Sequence, residues 1–287
     1  MRTEKEMLDL ITGTALEDEN IRAAYLEGSR VNPGADRDIF QDYDVVYIVR
    51  STKPYIENKR WIDRFGERLY MQYPEDNVYF DSDPENCYGW LMQFSDGNRL
   101  DLHVCTAENA LKSLDMYKVF VDKDNIFNKK EMLSDEVFHV KKPEQAHFSC
   151  TCNEFWWCLN NVAKGLWRNE PEYALEMIDF CIRPMLRRML EWKIGSEHNF
   201  SVSCGKSGKY MKKYLPEEIR NRYLDTYSVA NISEIWNTVF VMCDLFREIA
   251  MEISEKMNFT YDYMQAANSR KYLEDVKNLP ADAKEIY

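Results

Sequence analysis

Three aspartates and a Gly-Ser pair are the residues in this chain whose types and spacing could do chemistry. The stretch LEGSRVNPGADRDIFQDYDVVYIV, residues 26–49, closes an apolar run with Gly28-Ser29, crosses a polar loop, and opens a second apolar run with Asp42-Tyr43-Asp44. On a β-strand over 42–49, alternation puts Asp42 and Asp44 on one face, roughly 7 Å apart along the chain. A third carboxylate, Asp101, stands in RLDLHV, where Leu100, Leu102 and Val104 share one face and Asp101 and His103 the other. Three carboxylates brought together repel by roughly 4 kcal/mol per pair at 4 Å and an effective dielectric of 20. Such a cluster is tolerable when it binds a divalent metal or shares a proton. Mg²⁺ ions bridging Asp42, Asp44 and Asp101 to a nucleoside triphosphate would suit an in-line displacement. Gly28, Ser29 and Arg30 are the candidate phosphate-facing turn, since glycine lets backbone N–H groups approach and serine adds a donor. A lone Asp-x-Asp is more often a pair of solvated turn and edge residues. The upstream Gly-Ser and the apolar-flanked Asp101 argue for the site.

The elements that must position these residues follow from periodicity. Apolar Met7, Leu8, Ile11 and Leu16 among charges predict an amphipathic helix over 4–18. A short strand over 21–26 follows, and Asn32-Pro33-Gly34 supplies turn chemistry in the loop. Trp61, Phe65 and Leu69 at four-residue spacing predict a helix over 61–69. Segments 88–94 and 99–105, joined by Ser-Asp-Gly-Asn, read as a hairpin. A helix over 107–114 capped by Thr106 and a strand over 118–121 complete this part. From His147 onwards the pattern is helical, over 148–168, 172–194, 217–226 and 232–257, with breaks at Pro171, Gly195 and Pro216. The expected class is α+β, with a mixed sheet flanked by helices in a domain 1–143 and a helical bundle in a domain 144–287.

Composition narrows the partners. The 287 residues are 45% hydrophobic and carry a net charge of −12, which disfavours bulk nucleic acid and suits a cationic small molecule, or simply solubility. MRTEKEMLDL lacks the design of a signal peptide and no apolar run reaches the ~20 residues of a membrane span, so a soluble, cytoplasmic protein is expected. Eight cysteines without a secretory signal are expected as free thiols, and His147, Cys150 and Cys152 lack the second ligand pair of a zinc site.

The 148–168 helix has its own constellation. Glu154, Trp157, Asn161, Lys164 and Arg168 recur at spacings of three or four and draw a polar stripe with one indole. The carboxylate and aromatic ring suit a cationic sugar, and the lysine and arginine suit phosphates. Trp156 and Leu159 fall off the stripe and read as core. In GKSGKYMKKYL, residues 205–215, the P-loop spacing is absent. Lys206 and Lys209 could still neutralise a triphosphate, or simply end a basic helix.

The hydrophobic-Gly-Ser, Asp-x-Asp and later-Asp pattern resembles the nucleotidyltransferase superfamily that includes kanamycin nucleotidyltransferase and DNA polymerase β. LEGSRVNP, QDYDVVYIV, NRLDLHV, CNEFWWCLNNVAKGLWR and CGKSGKYMKKYLP are similar to one branch over nearly the whole chain, the aminoglycoside 6-adenylyltransferases that inactivate streptomycin. The resemblance implies transfer of AMP from Mg-ATP to the 6-hydroxyl of streptomycin, release of pyrophosphate, and antibiotic resistance. Asp42 and Asp44 would ligate Mg²⁺. Asp101 would complete the metal site or act as general base, a task for which Glu154 is the alternative. Glu154, Trp157 and Asn161 would meet the drug. A related enzyme for another aminoglycoside, a template-independent polymerase acting on tRNA or RNA through a local basic groove, and a non-catalytic ATP or partner binder are the competing readings.

Overall fold

A computed structural model describes residues 1–112 and 114–287, which form two compact units, Met1–Val137 and Phe138–Tyr287. The first unit begins with α1 (Glu4–Glu17), opened by a capping box in which Thr3 and Glu6 satisfy each other's backbone N–H groups. Met7, Ile11 and Ala15, four residues apart, are its buried face. Its sheet contains β1 (Ile21–Glu27), β2 (Tyr43–Val49), β3 (Arg68–Gln72), β4 (Cys87–Phe94), β5 (Arg99–Cys105), β6 (Tyr117–Asp122) and β7 (Glu131–Met132). The spatial order is β3-β4-β5-β2-β1-β6-β7. All pairings are antiparallel except β2 with β5, which is parallel. Two short helices, α2 (Lys53–Glu57) and α3 (Ala107–Lys112), join the strands. Of the helix expected over 107–114, Ser113 lies outside the described residues.

β2 is central, and every residue in it except Asp44 is buried, as expected of a strand covered on both faces. One face packs Tyr43, Val45, Tyr47, Trp61, Phe65 and Trp90 beneath α1. The other packs Val46 and Ile48 with Ala23, Tyr25, Tyr117 and Phe127.

Two expectations need correction here. The 61–69 helix stops early: a 3-10 helix covers Lys59–Phe65, and Gly66 then takes φ 120°, a backbone setting no helix continues through. Leu69 falls instead in the edge strand β3, which hydrogen-bonds to β4. The cysteines are not all free. Cys87 and Cys105 stand opposite each other across β4 and β5 and form a disulfide, with Cα atoms 4.1 Å apart. The other six are free thiols.

Among the described residues the second unit is helical: α4 (Gln145–Trp167), α5 (Pro171–Met177), a π-helical turn (Ile178–Ile182), α6 (Arg183–Glu197), α7 (Glu217–Leu224), α8 (Ile232–Met257) and α9 (Tyr263–Lys277). The helix expected over 172–194 is thus α5 and α6 joined through the π-turn. Phe155 on α4 stacks on Phe246 of α8 at 3.7 Å between ring centres. Trp156 is buried and donates its indole N–H to Tyr261 Oη at 3.2 Å, and Leu159 is fully buried, as read from the sequence. No helix among the described residues is long and apolar enough to cross a membrane.

Candidate active site

The aspartate site is assembled by three neighbouring strands. β1 ends at Glu27, whose sheet partner is Asp44, and the parallel register of β2 and β5 sets Asp44 beside Asp101. Asp42 lies one residue before β2. Oxygen atoms of Asp42, Asp44 and Asp101 all fall within 4.8 Å of one another. The register of neighbouring strands thus brings Asp44 to Asp101, and Asp42 joins them from the residue that leads into β2, just outside the strand expected over 42–49.

Gly28 follows directly, in a 3-10 turn Gly28–Arg30. Its φ is 71°, and a Cβ added there would lie 1.9 Å from Asp44 Oδ2, so only glycine leaves this carboxylate its place. Ser29 is half-buried, and its carbonyl accepts a hydrogen bond from Gln41 Nε2 at 3.2 Å. The Asn32-Pro33-Gly34 turn is closed by Gly34 N–H donating to Asn32 Oδ1 at 2.7 Å.

Arg30 is tied into the protein around the Asp42 backbone. Its guanidinium donates to the carbonyls of Asp42 and Gln41, each at 2.8 Å, stacks 3.7 Å above the Tyr43 ring and faces Glu4 at 3.6 Å. With its side chain 9% exposed, it holds the backbone that carries Asp42.

Arg99 is the participant that sequence reasoning missed. It donates from Nε to Asp101 Oδ1 at 2.9 Å and from Nη2 to Asp101 Oδ2 at 2.5 Å, and lies 3.8 Å from Asp42. The available signal was spacing, because Arg99 and Asp101 are two apart on one strand and share a face. Even with this cation present, burial first, and then the charges of Asp42, Asp101 and Glu27, raise the Asp44 carboxyl to about 7. Burial and Asp115 likewise raise Glu27. An all-oxygen set of crowded carboxylates, one of them reluctant to ionise alone, fits a hard divalent cation such as Mg²⁺. His103, next along the Asp101 face, is packed against Gly89, and burial lowers its pKa despite Glu75 and Asp101.

The remaining candidates belong to the second unit. Glu154 and Trp157 are exposed on α4, the latter at 66%, while Asn161 and Lys164 are half-buried on the same stripe and Arg168 caps the helix. The opposite face of α4, with Phe148, Phe155, Leu159 and Val162, is core. Lys206 and Lys209 are exposed in a segment of short 3-10 turns, and Lys209 Nζ lies 5.1 Å from the Tyr210 ring centre. His147 has a local duty: its Nδ1 accepts from the Glu144 N–H at the start of α4.

The model of the streptomycin adenylyltransferase family matches residues 1–276. The chain belongs to that family. It is therefore a nucleotidyltransferase. Aminoglycoside 6-adenylyltransferase of Bacillus subtilis (strain 168) is 38% identical over 281 residues, 96% of this chain and 98% of the relative. The enzyme of that name from Campylobacter jejuni is 36% identical over 268 residues, 91% of each chain. A crystal structure of an aminoglycoside 6-adenyltransferase from Bacillus subtilis is similar at 35% identity and a TM-score of 0.49, covering 97% of this chain and 100% of that one.

Proposed function

We propose that this enzyme transfers AMP from ATP to the 6-hydroxyl of streptomycin with release of pyrophosphate, using Mg²⁺ held by Asp42, Asp44 and Asp101. The observation that carries the reading is the packing of three carboxylates within 4.8 Å of one another beside a glycine that can be nothing larger. Family membership and the names of the relatives support the acceptor class. When bound, Mg²⁺ supplies positive charge that neutralises the triphosphate and stabilises charge developing on the leaving pyrophosphate.

The chain's own residues do the rest. Gly28 and Ser29 present a phosphate-facing turn at the end of β1, and Lys164, Lys206 and Lys209 are further candidate partners for phosphate. Arg30 fixes the Asp42 backbone, so the carboxylate starts from a set position. Glu154 and Trp157, an exposed carboxylate and indole on one stripe with Asn161, suit a polycationic acceptor. The acceptor oxygen attacks the α-phosphorus, the bond from that phosphorus to the bridging oxygen of pyrophosphate breaks, and the hydroxyl proton passes to a carboxylate. Asp101 is our choice of base, and Glu154 is the alternative. The base must come within about 2.6 to 3.2 Å of the hydroxyl.

A pyrophosphate-release assay with Mg-ATP and a panel of aminoglycosides tests the reading. Release with streptomycin supports it. Release only with another aminoglycoside keeps the chemistry and rejects the acceptor, and release with none rejects both.

A further inference from the structure

The helical unit holds a second group of donor atoms, unlike the first in chemistry. Glu154 and Cys158 are one turn apart on α4, and the Cys158 thiol donates to Glu154 Oε1 at 3.2 Å. Cys181 comes from the π-helical turn Ile178–Ile182, not from an α-turn. A π-turn inserts an extra residue between hydrogen-bonded partners, so the side chains it carries leave the α-helical periodicity. Donor atoms of Glu154, Cys158 and Cys181 lie within 4.8 Å of one another. Cys158 is buried, Cys181 half-buried and Glu154 exposed, so the group opens to solvent on the carboxylate side.

We propose that Glu154, Cys158 and Cys181 form a binding site for a thiophilic divalent cation of the Zn²⁺ class, with solvent in the fourth position. Two sulfurs and one carboxylate oxygen are a borderline-soft set suited to Zn²⁺ or Cd²⁺, whereas the aspartate cluster is all oxygen and hard. A tetrahedral centre with metal–sulfur bonds of about 2.3 Å spaces its donors by about 3.8 Å, a modest contraction of the 4.8 Å envelope. Binding forms two metal–sulfur bonds and one metal–oxygen bond, and the two thiol protons pass to solvent. The other free thiols do not duplicate the arrangement. Cys150 is exposed and Cys152 buried two positions along α4, and His147 is engaged with the helix start.

An occupied site would also withdraw the Glu154 carboxylate from an acceptor. That consequence rests on the proposed function, whereas binding itself does not.

The test is a Cd²⁺ titration of the full chain in oxygen-free buffer without added reductant, so that the Cys87–Cys105 disulfide stays closed, and in excess Mg²⁺, followed by the ultraviolet charge-transfer band that only cadmium–sulfur bonds produce. Wild type is expected to develop the band with one equivalent. Cys181→Ser and Cys158→Ser should each weaken binding at least about tenfold, the lower edge of what loss of even an outer-shell partner does. Glu154→Gln keeps both sulfurs, so it should retain the band and show only the weaker affinity. Circular dichroism identifies any serine variant that fails to fold, in which case Glu154→Gln, at an exposed position, decides. Unchanged Cd²⁺ affinity in Glu154→Gln, or a band of full strength in the folded serine variants, overturns the proposal. A wild type that develops the band but transfers no AMP to any aminoglycoside would count against the proposed function and leave the metal site standing.

Discussion

Replacing Asp44 by asparagine should change how the metal-free protein's stability depends on pH. The ordinary carboxyl value is 3.8, and in the folded, metal-free chain it rises to about 7, through burial and then the charges of Asp42, Asp101 and Glu27. The folded state therefore holds this proton more tightly than the unfolded chain. Its stabilising contribution is complete below about pH 4 and is lost as the pH climbs through about 7. A gap of about 3 pH units at ~1.36 kcal/mol each sets a ceiling of about 4 kcal/mol. Solvent reaches the site, so about half, ~2 kcal/mol, is the working expectation. At ~2 to 4 °C per kcal/mol this corresponds to ~4 to 8 °C in Tm. Thermal unfolding in a chelator from pH 4 to pH 8 should show the wild type losing that much stability relative to Asp44→Asn, and Mg²⁺ at pH 8 should restore the wild type alone. Parallel profiles for the two proteins would refute the electrostatic reasoning, because the crowding of Asp44 would then have no energetic consequence.

Other perturbations separate the roles of the neighbouring residues. Gly28→Ala places a methyl group 1.9 Å from Asp44 Oδ2 at a left-handed φ, and should cost about 1 to 2 kcal/mol of stability and about a hundredfold in kcat, measurable by denaturation and steady-state kinetics. Arg30→Ala removes the hold on the Asp42 backbone. It should lower kcat while leaving the KM for ATP nearly unchanged, and a large rise in that KM alone would reassign Arg30 to the phosphates. Asp101→Asn and Glu154→Gln should part company in the pH profile of turnover, with the acidic limb disappearing only in the variant that has lost the base.

The mixed α+β class and most elements could be read from alternation and helical spacing. The strand 99–105 and the helix 232–257 coincide with β5 and α8. α9 was missed because it buries only Ala266, Leu273 and Val276 among mostly polar residues, too narrow a stripe to stand out. β3 was missed because Trp61, Phe65 and Leu69 mimic a helical face, and the decisive residue, Gly66, acts through backbone conformation. The Cys87–Cys105 disulfide depends on strand register, which the cysteine count does not encode. In the site, alternation made it legible that Asp101 could share a sheet face with the other aspartates, whereas the parallel β2–β5 register that sets Asp101 beside Asp44 was encoded neither in alternation nor in the hairpin. The Arg30 and Arg99 contacts were not legible, since a long side chain chooses its partners only after the loop and the register are set.

The central claim is that the aspartate cluster supports transfer of AMP to the drug. Mass spectrometry of streptomycin after incubation with Mg-ATP and either the wild type or an Asp42→Asn, Asp44→Asn double variant tests it most directly. One added AMP is expected with the wild type and unmodified streptomycin with a folded double variant. Equal modification by both proteins would contradict the claim.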